Sequence, residues 1–173
     1  PVNSVGELTT MALDELKLIL SKLLNDKLTI QNWPRLNIKI DDEEIEDLAI
    51  SEVFIGEEKR FNMSRHIIRV NNISEEQRGS GLLITTGAGS SGWYNSACRY
   101  LFPKGNIFSK SISEARFILT EPYRGKLSMP KMFHGTIKDN ETIEVISLSD
   151  SLPYLSIDSL KLIKLNEGTK IKI

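Results

Sequence analysis

Between residue 66 and the C-terminus the sequence breaks into short runs that alternate or cluster apolar side chains at 66–70, 82–85, 116–119, 132–137, 142–146, 154–157, 160–165 and 169–173. Runs this short suit strands, and most of the gaps between them are too brief for the crossover of a dozen or more residues that parallel pairing needs. The chain is therefore expected to be mainly β, with an antiparallel sandwich as its body. Asp139-Asn140 supplies the residue types of a tight turn, and a hairpin is expected there.

Upstream the periodicity differs. Leu13, Leu16, Leu20, Leu23 and Leu24 recur at three- and four-residue spacing, which predicts an amphipathic helix over 11–24. Thr9 or Thr10 would cap it, with Asp14 and Glu15 in the first turns where the helix dipole favours acids. Leu28 and Ile30, then Leu36, Ile38 and Ile40, alternate with polar neighbours as a strand does, interrupted at Pro34. The run Asp41-Asp42-Glu43-Glu44-Ile45-Glu46-Asp47 then reads as a solvated connection into the apolar segment 48–55.

Composition limits the chemistry. Residues 1–90 carry 10 basic and 15 acidic side chains, and residues 91–173 carry 12 and 8, so neither half has the charge of a nucleic-acid or membrane-surface binder. A single cysteine, Cys98, excludes an internal disulfide framework and a multi-cysteine metal site. It reads as a small buried residue, and a reducing compartment is the natural expectation. His66 and His134 fall in separate runs without a carboxylate or cysteine at ligand spacing, so no metal is expected in this chain. No apolar run reaches the roughly 20 residues of a membrane span, so no membrane partner is expected.

The least random segment is 79–92, which holds five of the eleven glycines: Gly-Ser-Gly-Leu-Leu-Ile-Thr-Thr-Gly-Ala-Gly-Ser-Ser-Gly. It reads as a buried strand at 82–85, a Gly/Ser/Thr loop, and a helix over 93–101. Such a unit presents backbone N–H groups and hydroxyls, and its glycines let an anionic or sugar-bearing ligand approach closely. It lacks the Gly-Lys-Ser/Thr of the phosphate loop and the Gly-x-Gly-x-x-Gly order of the dinucleotide-binding βαβ unit. A tight strand-to-helix connection without a ligand explains the same composition.

These residues resemble the NAD kinase family. Thr85-Thr86-Gly87-Ala88-Gly89-Ser90-Ser91-Gly92-Trp93 is similar to the Thr-Gly-Thr-Gly-Ser-Lys-Ala-Trp segment of its mitochondrial-type branch. Ala49-Ile50-Ser51-Glu52-Val53-Phe54-Ile55-Gly56-Glu57 is similar to that branch's Ala-Leu-Asn-Glu-Val-Phe-Ile-Gly-Glu. Asn3 to Thr9 resembles a Gly-Phe-Leu-Thr stretch, Trp33-Pro34-Arg35-Leu36 a strand start near Arg-Pro, and Ser156-Ile157-Asp158 the Ile-Asp-Gly strand end. The resemblance spans nearly the whole chain and implies that residues 1–173 are one C-terminal, NAD-binding β-sandwich domain.

Carried over by position, the resemblance places Ser51 and Glu52 at the ribose and base of NAD. Ser51 stands where the family has Asn and keeps fewer hydrogen-bonding groups, whereas Glu52 is a carboxylate suited to ribose hydroxyls. Ser91 and Ser96 would offer hydroxyls, Gly92 room, and Trp93 an aromatic face, although core packing is an equally ordinary use of a tryptophan. Ser80 replaces an Asp found in most members, and Asp158 precedes Ser159 where the family has Gly, which also suits a turn role. Arg124 follows Glu121-Pro122-Tyr123, similar to the branch's Arg-Glu-Pro segment.

The reaction implied is transfer of the γ-phosphoryl group of ATP, with Mg²⁺, to the 2′-hydroxyl of the adenosine ribose of NAD. The family's catalytic carboxylate belongs to a Gly-Gly-Asp-Gly motif of an N-terminal α/β domain, and that motif does not occur in this sequence. No catalytic residue is therefore expected here. The resemblance further implies a homo-oligomer, cytoplasmic in a prokaryote and mitochondrial in a eukaryote. Two other readings stay open: the C-terminal domain of a diacylglycerol-type lipid kinase, and a non-catalytic dinucleotide-binding or oligomerisation module.

Overall fold

A computed structural model describes residues 13–59, 61–126 and 129–173. Among the described residues twelve strands fall into two antiparallel sheets. The first sheet joins β1 (Lys39–Ile40), β2 (Glu43–Glu44), β4 (Ser64–Val70), β5 (Ile73–Gly79), β9 (Ile143–Ser147) and β12 (Lys170–Lys172), in the order β2-β1-β12-β9-β4-β5. The second joins β3 (Glu52–Glu57), β6 (Gly81–Thr85), β7 (Glu114–Thr120), β8 (His134–Lys138), β10 (Pro153–Ile157) and β11 (Lys161–Lys164), in the order β11-β10-β3-β6-β7-β8.

The main core lies between the sheets. Ile68, Val145 and Ile171 of the first meet Val53, Ile55, Leu82, Ile84 and Leu155 of the second, all at most 2% exposed. Alternation then turns Phe54, Leu83 and Ile118 to the outer face of the second sheet, where they form a smaller cluster with Tyr94 and Cys98. The covering element is α2 (Trp93–Ala97) with the turns that follow it. β6 is thus buried along its whole length, which is why its sequence is an apolar run without alternation.

Several sequence expectations change. The helix α1 (Leu13–Leu24) forms, but Leu16, Leu20, Leu23 and Leu24 of its apolar stripe are 48–84% exposed and do not reach the core. Its expected caps Thr9 and Thr10, and the stretch Asn3 to Thr9, lie outside the described residues. Leu28 and Ile30 belong to no strand and are exposed; Leu36 makes only an isolated bridge to Ala49 before β1. Alternation there found no neighbouring strand to pair with. The Asp139-Asn140 turn exists, with Asn140 at φ 67, but it passes from β8 in one sheet to β9 in the other and is not a hairpin. The helix expected over 93–101 stops at Ala97, and β5 was not anticipated, because an edge strand reading Ile-Ser-Glu-Glu-Gln-Arg-Gly needs no apolar alternation.

The acidic run, expected to be a solvated connection throughout, is only partly one: Glu43–Glu44 form the exposed strand β2. Asp41 and Asp42, at φ 50 and 69, join β1 to β2. Asp42 meets Lys172 at 2.5 Å and Lys170 at 3.7 Å, and these lysines hold its carboxyl below the usual carboxylate range.

Candidate functional site

Glu52 opens β3 on the outer face of the second sheet, two residues from Phe54 and opposite Thr85 of β6. The turn after β6 folds back on the same strand end. The Thr86 amide donates to the Ser51 carbonyl at 2.9 Å, and the Thr86 hydroxyl donates to the Ile50 carbonyl at 2.5 Å. The glycines are what allow this approach. A Cβ at Gly89 would stand 2.3 Å from the Ser51 carbonyl oxygen, and one at Gly87 would stand 2.0 Å from that of Ser109. At Gly92 the added atom would meet only the Gly89 carbonyl oxygen, at 3.5 Å, so packing within the chain does not demand the glycine there.

Asp158 fixes the other side of this strand end. It sits in the turn between β10 and β11, and its Oδ1 accepts hydrogen bonds from the amides of Ser51 (2.8 Å) and Glu52 (2.9 Å). Its Oδ2 accepts from the Ile50 amide at 2.9 Å. The carboxylate is thereby engaged with backbone and acts as a clamp on the segment that carries Glu52. Burial, and secondarily the charge of Asp158, raise the Glu52 carboxyl to about 7. A carboxyl so placed gains most from hydroxyl donors that stabilise its charged form.

The half-buried Trp93 starts α2 with its indole against Phe54, ring centroids 4.7 Å apart. Trp93 and the exposed Ser96 line a groove of about 400 Å³ with Tyr100, Thr120 and Glu121. Ser80 enters the same neighbourhood indirectly, through a hydrogen bond from its hydroxyl to Glu121. Ser51, Glu52, Ser91 and Gly92 therefore gather around the Gly-rich turn, while Trp93, Ser96 and Ser80 gather further along the outer face, and α2 links the two groups. Glu121 was not named from the sequence as a binding residue. Nothing in the sequence set it apart, because Ser80, which bonds to it, is 41 residues away along the chain.

A larger groove of about 780 Å³ includes Thr86, Arg35, Lys39, Glu114 and Lys172 in its lining, and none of the eight site residues named from sequence. Its proximity to the Gly-rich turn comes through Thr86 alone.

The other singled-out residues have structural settings. Cys98 is fully buried, and burial raises its thiol, so it is unsuited to act as a nucleophile. His66 is buried between strands, and His134 is exposed beside Phe102 and Phe133. The Arg124 guanidinium lies 5.0 Å from the centre of the Phe133 ring. Among the described residues no three His, Cys, Asp or Glu side chains come together in one cluster. No described helix is long and apolar enough to cross a membrane.

Solved structures share this architecture, two kinases among them. Yeast NADH kinase in complex with NADH matches with a TM-score of 0.77 at 17% identity, over 98% of this chain and 48% of that one. An NAD kinase from Archaeoglobus fulgidus in complex with ATP matches with a TM-score of 0.66 at 19% identity, over 92% of this chain and 58% of that one. The fold matches the C-terminal β-type domain of NAD kinases. The chain spans about half the length of these neighbours. No protein-family model and no curated protein sequence matches it.

Proposed function

We propose that this chain is the NAD-binding C-terminal domain of an NAD kinase of the mitochondrial-type branch. In the complete protein it would present the adenosine ribose of NAD for phosphorylation at the 2′-hydroxyl by ATP. The observation that carries this reading is the placement of Glu52. Its carboxyl is raised to about 7, stands on the outer face of β3 and is flanked by the Gly-rich turn, on a fold shared with kinases solved with NADH and with ATP.

On this reading Glu52 accepts hydrogen bonds from vicinal ribose hydroxyls, and Asp158 holds the backbone that presents it. Ser51 and Ser91 contribute hydroxyls at the same end. Gly92 leaves space for the sugar, and Trp93 supplies an aromatic edge. ATP, Mg²⁺ and the catalytic carboxylate belong to an N-terminal α/β domain, with the complete protein a homo-oligomer. Mg²⁺ supplies charge neutralisation at the transferred phosphoryl group when bound, and this chain's residues bind and orient the acceptor.

Titration calorimetry of NAD against the 173-residue chain and its Glu52→Ala variant tests the reading. Loss of about tenfold or more in affinity is expected, as for removal of a charged hydrogen-bonding partner. Equal affinity of the two proteins would remove Glu52 from the site. A diacylglycerol tested in parallel should not bind.

A further inference from the structure

The Gly-rich turn and α2 carry Ser91, Gly92 and Trp93, and neither can fix its own position. The turn contains Gly87, Gly89 and Gly92, which leave the backbone its widest freedom. α2 has five residues and no side-chain hydrogen bond at its N-terminus, far below the length at which a helix holds itself. The contact of Trp93 with Phe54 adds apolar burial, which is non-directional. Direction comes from two chains of contacts that lead from this segment to one side chain of the sheet, Arg116 of β7.

In the first chain, the buried Tyr94 hydroxyl accepts from Asn106 Nδ2 at 3.0 Å, and Asn106 Oδ1 accepts from Arg116 Nη1 at 2.7 Å. In the second, the Ser90 hydroxyl donates to the Gly87 carbonyl at 2.8 Å and accepts from the Phe108 amide at 3.2 Å. The Phe108 ring then packs against the Arg116 guanidinium, whose carbon lies 4.1 Å from the ring centre. Glu114 sets the plane of the guanidinium: its Oε1 accepts from Nε at 3.1 Å and from Nη2 at 2.8 Å, which leaves Nη1 aimed at Asn106. A planar fork can meet Glu114 and Asn106 while it stacks on a ring, and an ammonium cannot.

Arg116 also stands in the same row of the sheet as Glu52. Glu52 pairs with Thr85 and Thr85 with Arg116, so the two share the outer face two strand spacings apart, about 10 Å. The sheet thereby fixes the distance between the carboxyl that would accept ribose hydroxyls and the side chain that holds the turn. We propose that Arg116, acting through Asn106 and Phe108, is the positioning residue that sets Ser91, Gly92 and Trp93 against Glu52 for the dinucleotide. Its Nε, Nη1 and Nη2 each already donate within the chain, so its role is geometric and is not attraction of the ligand's phosphates. The inference rests on the dinucleotide reading above and adds to it a residue that acts on the ligand only through others.

The test measures dissociation constants of NAD, with thermal melts, on the 173-residue chain and on Arg116→Met, Arg116→Lys, Asn106→Ala, the Arg116→Met/Asn106→Ala double variant, Tyr94→Phe and Glu52→Ala. Arg116→Met keeps the stem and drops the fork, and should weaken NAD binding by about tenfold, as for loss of a hydrogen bond to a charged group. Arg116→Lys keeps the charge and should recover no more than about twofold of that loss. Asn106→Ala and Tyr94→Phe should each weaken binding by about threefold or more. The double variant should stay within about twofold of Arg116→Met, because the two residues act along one chain. In a Trp33→Phe background, which leaves Trp93 as the one tryptophan, Arg116→Met should shift the indole emission and saturating NAD should move it back.

Wild-type affinity in folded Arg116→Met or Asn106→Ala, with NAD binding still weakened by Glu52→Ala, overturns this inference alone. Full recovery by Arg116→Lys overturns it as well, in favour of simple charge. Should Arg116→Met fail to fold, Asn106→Ala and Tyr94→Phe decide, because both leave the ion pair of Arg116 with Glu114 in place. Failure of wild type to bind NAD overturns the dinucleotide reading and this inference with it.

Discussion

The indole of Trp93 lies against the phenyl ring of Phe54, centroids 4.7 Å apart and planes inclined by 37°. Phe54 in turn covers two glycines paired across β3 and β6: a Cβ at Gly56 would stand 2.6 Å from its ring, and one at Gly81 would stand 2.3 Å away. The outer face of the second sheet thus has a depression, floored by glycine backbone and filled by Phe54, on which α2 rests. Trp93 belongs both to this packing and to the groove lining. Trp93→Ala should lower stability by about 2–3 kcal/mol, as for other large aromatic truncations at half-buried sites, and should also weaken NAD binding. Trp93→Phe should recover most of the stability. Thermal melts paired with calorimetry separate the two effects, and a Trp93→Ala protein as stable as wild type would show that α2 does not depend on the indole.

Glu52 makes stability depend on pH in a defined direction. Its folded-state carboxyl is raised from 4.5 to about 7, first by burial and then by Asp158. Below the unfolded value both states are protonated and nothing is lost. As pH rises through this window the unfolded chain ionises first, so stability falls, and above about 7 the loss is constant. Glu52→Gln should therefore be neutral near pH 4 and stabilising by on the order of 2 kcal/mol at pH 8. Urea denaturation at the two pH values measures this. NAD binding should also release protons near pH 7, because hydroxyl donors favour the carboxylate, and calorimetry in buffers of different ionisation enthalpy reads that release.

His66 acts at the acid end. It is 1% exposed on β4, its Nε2 lies 3.3 Å from Gln77 Oε1, and its Nδ1 has no hydrogen-bond partner. Because the Gln77 oxygen only accepts, the paired nitrogen carries the proton and Nδ1 is a bare acceptor. Burial lowers the imidazole from 6.5 to about 4, against the smaller effect of Gln77. The stability tied to its neutral form is complete above 6.5 and is lost as pH falls toward 4, on the order of 3 kcal/mol in all. His66→Gln should flatten that loss in denaturation curves between pH 7 and 4. An unchanged acid limb would assign the sensitivity elsewhere.

What the sequence disclosed follows from the range of the interactions involved. Val53, Ile55, Leu82 and Ile84 could be read as core because burial leaves its mark on the chain itself, and the Gly-rich turn could be read because close approach requires Gly87 and Gly89. The exposed state of Leu16, Leu20 and Leu24 could not be read, because an amphipathic stripe states that a face wants burial and not what buries it. Pairing β8 and β9 into different sheets is likewise a long-range outcome that a turn dipeptide does not encode. Glu121 escaped notice since its place beside Ser80 arises only when β6 and β7 pair.

The turn between β10 and β11 gives the sharpest separation of stability from function. Asp158 and Ser159 both have left-handed backbone, φ 50 and 56, and the Leu160 amide closes the turn on the Ile157 carbonyl at 2.9 Å. Left-handed geometry at a serine costs about 1 kcal/mol that glycine does not incur. Ser159→Gly should therefore stabilise the protein by no more than about 0.5 kcal/mol, after allowing for the greater freedom of glycine in the unfolded chain, and leave NAD affinity unchanged. Asp158→Ala does the opposite. It strips acceptors from three backbone amides, those of Ile50, Ser51 and Glu52, and should cost about 2–4 kcal/mol. It should also weaken NAD binding, because the strand end that presents Glu52 loses its clamp. Asp158→Asn keeps one acceptor oxygen and should fall between the two. If Asp158→Ala lost stability but bound NAD as wild type does, the clamp would serve the fold alone, and Glu52 would be positioned by the Gly-rich turn without it.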